Sequence, residues 1–335
     1  MPSAEDGIMY YEAGQSSNAM TELSDSGDHI IFNSDDDLWS DKSGYECNVK
    51  PNGLATGGAV SPAATGTDDL IDVAALTCYL AGVLTEVGAA ADETVLRGVT
   101  TDTHRKSSVT ITSAGAVAIV AGTDHTAFSD VRGADGGPPY IPVGSIEIAQ
   151  IHLTSIAAAP ITADEIKSVI GSHVERFDFP TWEVKRVRVT NQVIGLAGVD
   201  FNSALPVIHT GDVPKKVYAS WYEPSFAEVP RSVDFVPAGE SHSVSSKEIY
   251  GGTIGATSKS LGQGSFTTYF EDGISDNLLT LDGEKLWFKF KQDRLKTPYI
   301  LVQGKLGITQ SFPAGDSISG ACTITAEEKA VRVVS

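Results

Sequence analysis

The sequence predicts a mainly β protein: a β-sandwich with one short flanking helix near 162–170, joined to an additional small β-sandwich module. Three observations carry that expectation. Glycine and proline are frequent, 33 and 15 of the 335 residues, so turns are many and elements short. The apolar runs are rich in Val, Ile and Thr, the residues that suit a pleated surface. Those runs are brief and bounded by Gly, Ser, Asn or Asp, which is how strands alternate with turns. The chain is long enough for roughly two domains. Its 41% hydrophobic and 20% charged residues place it among chains that bury a core.

Residues 1–56 hold clustered acids, including Asp35, Asp36 and Asp37, with isolated apolar residues such as Ile30, Ile31, Phe32, Leu38 and Trp39. They read as an extended acidic N-terminal arm with one short strand. The run GLATGGAVSPAATGTDD at 53–69 is made of small and turn-forming residues, so 57–69 reads as a linker and a domain opens near Asp69. From 70 to 155 short Val- and Ile-rich runs alternate with turns, a β module; within it VTIT-SAG-AVAIV places Gly115 in a tight connection between two apolar runs, a hairpin signal.

The segment ITADEIKSVIG at 161–171 predicts the helix. Thr162 is an N-cap, Glu165 closes a capping box, and Ile161 and Ile166 can form the hydrophobic staple. Gly171 ends it, and Ile166, Val169 and Ile170 share one face. Residues 156–335 otherwise return to strand patterns such as WEVKRVRVT, KVYASWYE, SFTTYF, LWFKF and YILVQGKLGIT, a second β domain that strands of the arm could complete. In LWFKF, Leu286, Phe288 and Phe290 share one face, and Trp287 on the other is expected to meet a second sheet or a neighbouring subunit. The stretch from Gly239 to Gly264 reads as a long loop or extended hairpin with little to build a core.

The chain carries 24 basic and 43 acidic residues, a net charge of −19. Residues 1–150 hold 6 basic and 22 acidic residues, a net −16, and the rest only −3. Adhesive nucleic-acid binding needs clustered Lys and Arg to displace counterions, so it is disfavoured. Non-adhesive passage of nucleic acid is compatible with the same sign of charge. No apolar run nears the roughly 18 residues that span a bilayer, and MPSAEDGIMYYEAG lacks a basic then apolar opening, so a soluble, unexported protein without membrane partners is expected.

The motifs that carry chemistry are weak. Asn33, Asp35 and Asp37 match the first three positions of a calcium loop, but Leu38 stands at its glycine and Gly44 at its bidentate Glu, so the segment reads as a solvated acidic face. The seven histidines, His29, His104, His125, His152, His173, His209 and His242, form no closely spaced ligand pair. GQGSF at 262–266 is no nucleophile elbow, and LATGGAV and TGDVPKKVY are no phosphate loops. Glu271, Asp272 and Asp276 in FEDGISDN suit a turn better than a pair of glycosidase acids. Cys47, Cys78 and Cys322 are scattered and odd in number, so they read as small buried hydrophobes. No catalytic, cofactor or metal site is expected, and no enzyme activity.

The segments FSDVRGADGGPPYIPVGSIEIAQIHL (128–153), ALPVIHTGDVPKKVYASWYEPSFAEVPRSVDFVPAG (204–239) and SFTTYFEDGISDNLLTLDGEKLWFKFKQDRLKTPYILVQGKLGITQSFPAGDSISGACTI (265–324) resemble the major tail tube proteins of long-tailed, non-contractile bacteriophages. The likeness covers roughly 100–325 in texture and segment order. It implies a tail-tube-like β-sandwich that assembles into stacked hexameric rings, a virion tail put together in the host bacterial cytoplasm. It further implies ring stacking, contacts with terminator and tail-tip proteins, and a DNA-repelling acidic lumen for genome ejection. In that setting the 70–155 module would lie outside the tube. A capsid-associated decoration protein and a monomeric carbohydrate-binding or adhesin-like β-sandwich are the alternatives.

Overall fold

The computed structural model describes residues 6–168, 181–185, 188–190, 193–205, 208–209, 216–250 and 252–334. The chain is mainly β, folded as a large sheet and several small ones.

The first three strands, β1 (Ile8–Asp25), β2 (Ile31–Asn33) and β3 (Asn48–Pro51), all belong to the large sheet. The expected arm is therefore not an arm. β1 is 18 residues long and lies in the middle of the sheet. Its apolar ends explain this: Met9 and Tyr11 enter one core, Leu23 enters another, and the polar middle bridges them through two register shifts.

Next come β4 (Gly53–Gly57), β5 (Val60–Pro62), β6 (Leu70–Val73), β7 (Leu76–Leu80), β8 (Val83–Val87), β9 (Ala90–Thr94), β10 (Arg105–Ile111), β11 (Val117–Ala121), β12 (Ile146–Leu153) and β13 (Ile166–Lys167). They form sheets ordered β4-β7-β8, β5-β6-β9 and β11-β10-β12-β13 around a core of their own. The 57–69 stretch, expected as a linker, supplies β5, and Leu54, Val60, Ile161 and Ile166 pack on this core, which thus draws on 53–167 rather than 70–155 alone. The expected hairpin forms, with Ile111 opposite Val117 and Gly115 at φ +77° in the turn.

The helix expected at 162–170 is not formed. The capping interaction is there, with Glu165 Oε2 accepting the Thr162 backbone N–H at 2.8 Å, but it closes only a 3-10 turn at Ala163–Glu165. Ile166 then pairs with Ile151 as part of β13. Tertiary pairing outweighs the local helix signal, whose remainder from Val169 lies outside the described residues.

The second body adds β14 (Trp182–Lys185), β15 (Arg188–Thr190), β16 (Val193–Gly195), β17 (Gly198–Phe201), β18 (Val217–Glu228), β19 (Ser232–Val236), β20 (Glu240–Ile249), β21 (Gly252–Leu261), β22 (Gly264–Tyr269), β23 (Lys285–Lys291), β24 (Tyr299–Ser311), β25 (Ser319–Ala326) and β26 (Val331–Val333). The large sheet runs β14-β17-β2-β1-β23-β24-β25-β22-β19, with β18 on β1, β3 on β18 and β26 on β24. Phe266, Phe288, Leu286, Met9 and Ile324 fill one core; Phe32, Trp39, Val199, Val217 and Trp221 fill the other.

Candidate functional site: a long hairpin and buried polar centres

The long Gly239–Gly264 stretch is a hairpin. β20 and β21 form an antiparallel ladder from Glu240 opposite Leu261 to Ile249 opposite Gly252, and among the described residues they pair only with each other. Ten residues per strand extend roughly 33 Å at the usual strand rise. The root is held firmly. Gly262 N–H donates to Gly239 O at 2.8 Å, Glu240 meets Lys259 at 2.5 Å and Lys329 at 3.6 Å, and the two facing serines, Ser241 and Ser260, bond at 2.6 Å. Tyr250 at the tip is fully exposed. A two-stranded hairpin standing alone is only marginally stable in water.

The adjoining sheet edge is β19. Arg231 and Asp234 sit at φ +49° and +56°, and the β19–β22 register shifts between Val233 and Val236. Such a bulged edge is poorly shaped for simple strand addition.

The acidic segment near Asp35 is a docked strap, not a solvated face. Trp39 is fully buried and stacks on Trp221 at 5.1 Å, its indole N–H donates to Ser34 Oγ at 3.1 Å, and its carbonyl accepts the Trp287 indole N–H at 2.9 Å. That is what Trp287 meets on the second face of LWFKF. Asp36 turns inward, accepting from Asn18 Nδ2 at 3.0 Å and Trp221 Nε1 at 2.8 Å, while Asp35 and Asp37 point to solvent. Asp41 pairs with Lys285 at 2.9 Å. Both carboxylates at the would-be calcium positions, Asp35 and Asp37, thus face solvent, and the carboxylate between them is engaged by Asn18 and Trp221.

Beneath the strap lies Glu12, a buried carboxylate that sequence reasoning passed over. Its Oε1 accepts Ser40 Oγ–H and, at 2.9 Å, Gln15 Nε2, and its Oε2 accepts Trp287 N–H at 3.1 Å. Burial pushes its pKa above the ordinary range, against these hydrogen bonds. A second buried carboxylate, Glu147, accepts from Ser108, from Gln150 Nε2 at 3.1 Å and from Arg132 Nη2 at 2.5 Å. The signal for it was present: an acid and an amide inside IEIAQI, a run whose other residues are apolar. Lys289 is held between the Phe226 and Tyr299 rings, 4.4 and 4.7 Å from their centres, and burial lowers its pKa.

The remaining candidates have local duties. Asp272 accepts backbone N–H groups of Ile274 and Ser275, and Asp276 those of Glu271 and Gly273, so FEDGISDN is a carboxylate-braced turn; the bonds hold Asp272 down to about 2. His29 bonds Asp25 at 2.5 Å, His104 and His125 face each other across a backbone bridge, and His104 and His152 pack on Phe128. His209 is buried; His242 is at the hairpin root; His173 lies outside the described residues. Cys78 and Cys322 are buried, the latter thiol pushed up to about 12, and Cys47 is half-buried. Ser265 of GQGSF pairs within the sheet, opposite Val236 and Thr323. Among the described residues no set of three His, Cys, Asp or Glu is placed to hold a metal ion, and no helix is long and apolar enough to cross a membrane.

No protein-family model and no curated protein matches this chain.

Proposed function

We propose that this protein is a structural subunit of a long, non-contractile bacteriophage tail, forming hexameric rings that stack into the tail tube. The observation that carries the proposal is the β20–β21 hairpin: a ladder with a pinned root and no strand neighbour among the described residues, long enough to cross onto an adjacent subunit. The resemblance at 128–153, 204–239 and 265–324 supports the same reading, as does the mainly β architecture. Six copies at −19 bring −114 to each ring, charge that unpaired burial would penalise and that solvent or a lumen can accept. A lumen of that sign lets DNA pass without adhering. Ring stacking, terminator and tail-tip proteins are the partners in this reading, the virion tail its location, and no cofactor, metal or enzymatic step enters it.

Sedimentation velocity tests the proposal. Each chain is 35.2 kDa, so a ring is about 211 kDa, and stacks are multiples of it. The intact protein is expected to populate these species with rising concentration. A variant in which 244–257 is replaced by an Asn-Gly turn, leaving the Ser243–Ser258 rung and the root, is expected to stay monomeric with unchanged far-UV circular dichroism. An intact chain that remains a monomer throughout, or a shortened one that assembles equally well, would overturn it.

A further inference from the structure

The connection between β11 and β12, residues 122–145, folds over the polar face of β10 and β12 and is fastened by three ion pairs. Arg105 meets Asp124 at 3.2 Å, Lys106 meets Asp130 at 2.8 Å, and Arg132 meets Glu147 at 2.5 Å. Its internal bonds make it a compact object: Gly136 N–H donates to Thr123 O at 2.9 Å, Gly133 N–H to Pro138 O at 2.8 Å, and Arg132 Nη1 to Pro139 O at 2.5 Å. Beyond it lies the second body. Buried Ile141 donates its N–H to the carbonyl of buried Ile208 at 2.9 Å, and the next residue, His209, is only 5% exposed.

His209 is the buried titratable ring at this contact. Among the described residues neither ring nitrogen has a hydrogen-bond partner, and the Arg132 guanidinium is a charge that acts on it. Glu147, the carboxylate nearest to hand through Arg132, is already taken by Arg132, Ser108 and Gln150. A neutral imidazole is tolerable here. An imidazolium would be a buried cation with no acceptor among the described residues, set against a second cation.

We propose that the 122–145 loop and the Ile208–His209 segment form an acid-released latch, in which protonation of His209 beside Arg132 parts the loop from that segment, while the contact of Lys50 with Tyr79 still joins the 53–167 module to the large sheet. Burial and Arg132 both hold the His209 pKa below its ordinary value, which fixes the sign. The closed latch excludes the proton, and the open one binds it with the ordinary value near 6.5. The closed form is therefore fully favoured above about 6.5 and is lost as pH falls from there to the lower closed-state value, below which the balance is flat. Other ionisable side chains lie on the loop and the strands beneath it: His104 and His152 face Phe128 with Lys106 above the ring at 5.4 Å, and exposed His125 faces His104. A substitution at His209 alone separates its protonation from theirs.

The test is amide hydrogen exchange of the full chain at pH 7.5 and 5.0, corrected for intrinsic rates, for the native protein and for His209→Gln and His209→Phe. In the native protein the opening that exposes 128–145 is expected to rise by up to about tenfold per pH unit below 6.5. Both variants are expected to lose that acid dependence. Equal acid dependence in a folded variant, or none in the native protein, would overturn the latch. Nuclear magnetic resonance titration of the native histidines tests the latch without any variant: a His209 midpoint below 6.5 shared by the Ile141 amide supports it, and a His209 midpoint at 6.5 with no response at Ile141 overturns it.

Discussion

Truncating Trp39 to Ala is expected to destabilise the large-sheet body severely, because Trp39 is the largest buried side chain of the docked strap around Asp35. The indole is fully buried and stacked on Trp221 at 5.1 Å and 18°. Large-to-small substitution of a buried Trp costs about 3–5 kcal/mol, and losing the stack adds about 0.5–1.5 kcal/mol. The carbonyl that receives the Trp287 indole N–H survives, so the loss is packing and the Ser34 contact, not that bond. A total near 4–6 kcal/mol is a large share of the roughly 5–15 kcal/mol that holds a domain folded. Trp39→Phe keeps a ring against Trp221 and gives up the Ser34 hydrogen bond and some volume, so about 1–2 kcal/mol is expected. Urea unfolding followed by far-UV circular dichroism reads both without depending on tryptophan emission. A loss below about 1 kcal/mol for Trp39→Ala would refute the strap and return 33–44 to a dispensable surface segment.

Glu12→Leu strips the acceptor from Ser40, Gln15 and Trp287 and is expected to cost at least about 3 kcal/mol, whereas Glu12→Gln costs far less, because the Ser40 and Gln15 groups can reorient to accept. Since burial raises the folded-state pKa of Glu12, this carboxyl adds stability as pH falls through that raised value and withholds it as pH rises; carbon-13 titration should show a midpoint above the usual glutamate range, and an ordinary midpoint would count against the buried setting. Residues 53–167 expressed alone are expected to unfold in one cooperative thermal transition, having a core of their own; a featureless melt would show that the module depends on the large sheet. Preformed assemblies should survive EDTA unchanged, and their dissolution would reopen the cation reading of Asp35 and Asp37.

The strands at 70–87 and 105–121 were legible because alternation and turn residues coincide there, with Cys78 and Val109 inward and Gly115 at a turn that needs positive φ. In 57–69 the same logic misled. Small residues suggested a linker, yet a Cβ on Gly57 would run into the Ala75 carbonyl, so smallness there serves close strand packing. β1 was hidden for the opposite reason: its middle, EAGQSSNA, has no apolar alternation, and pairing with β18 rather than side-chain burial keeps it extended. The helix signal at Thr162 was a true cap on too short a turn. Glu12, Glu147 and Arg132 could not be paired from sequence, since each finds its partners through the folding of separate strands and loops. The hairpin at 240–261 was half legible: its composition announced a segment without a core, while its regular ladder follows from backbone pairing that composition does not encode.

Electron micrographs of the purified full-length protein test the central claim most directly. Rings with a central hole, and tubes made of stacked rings with six-fold averages, are the expected result. A uniform field of single 35.2 kDa particles at high protein concentration would contradict it and favour a monomeric binding domain.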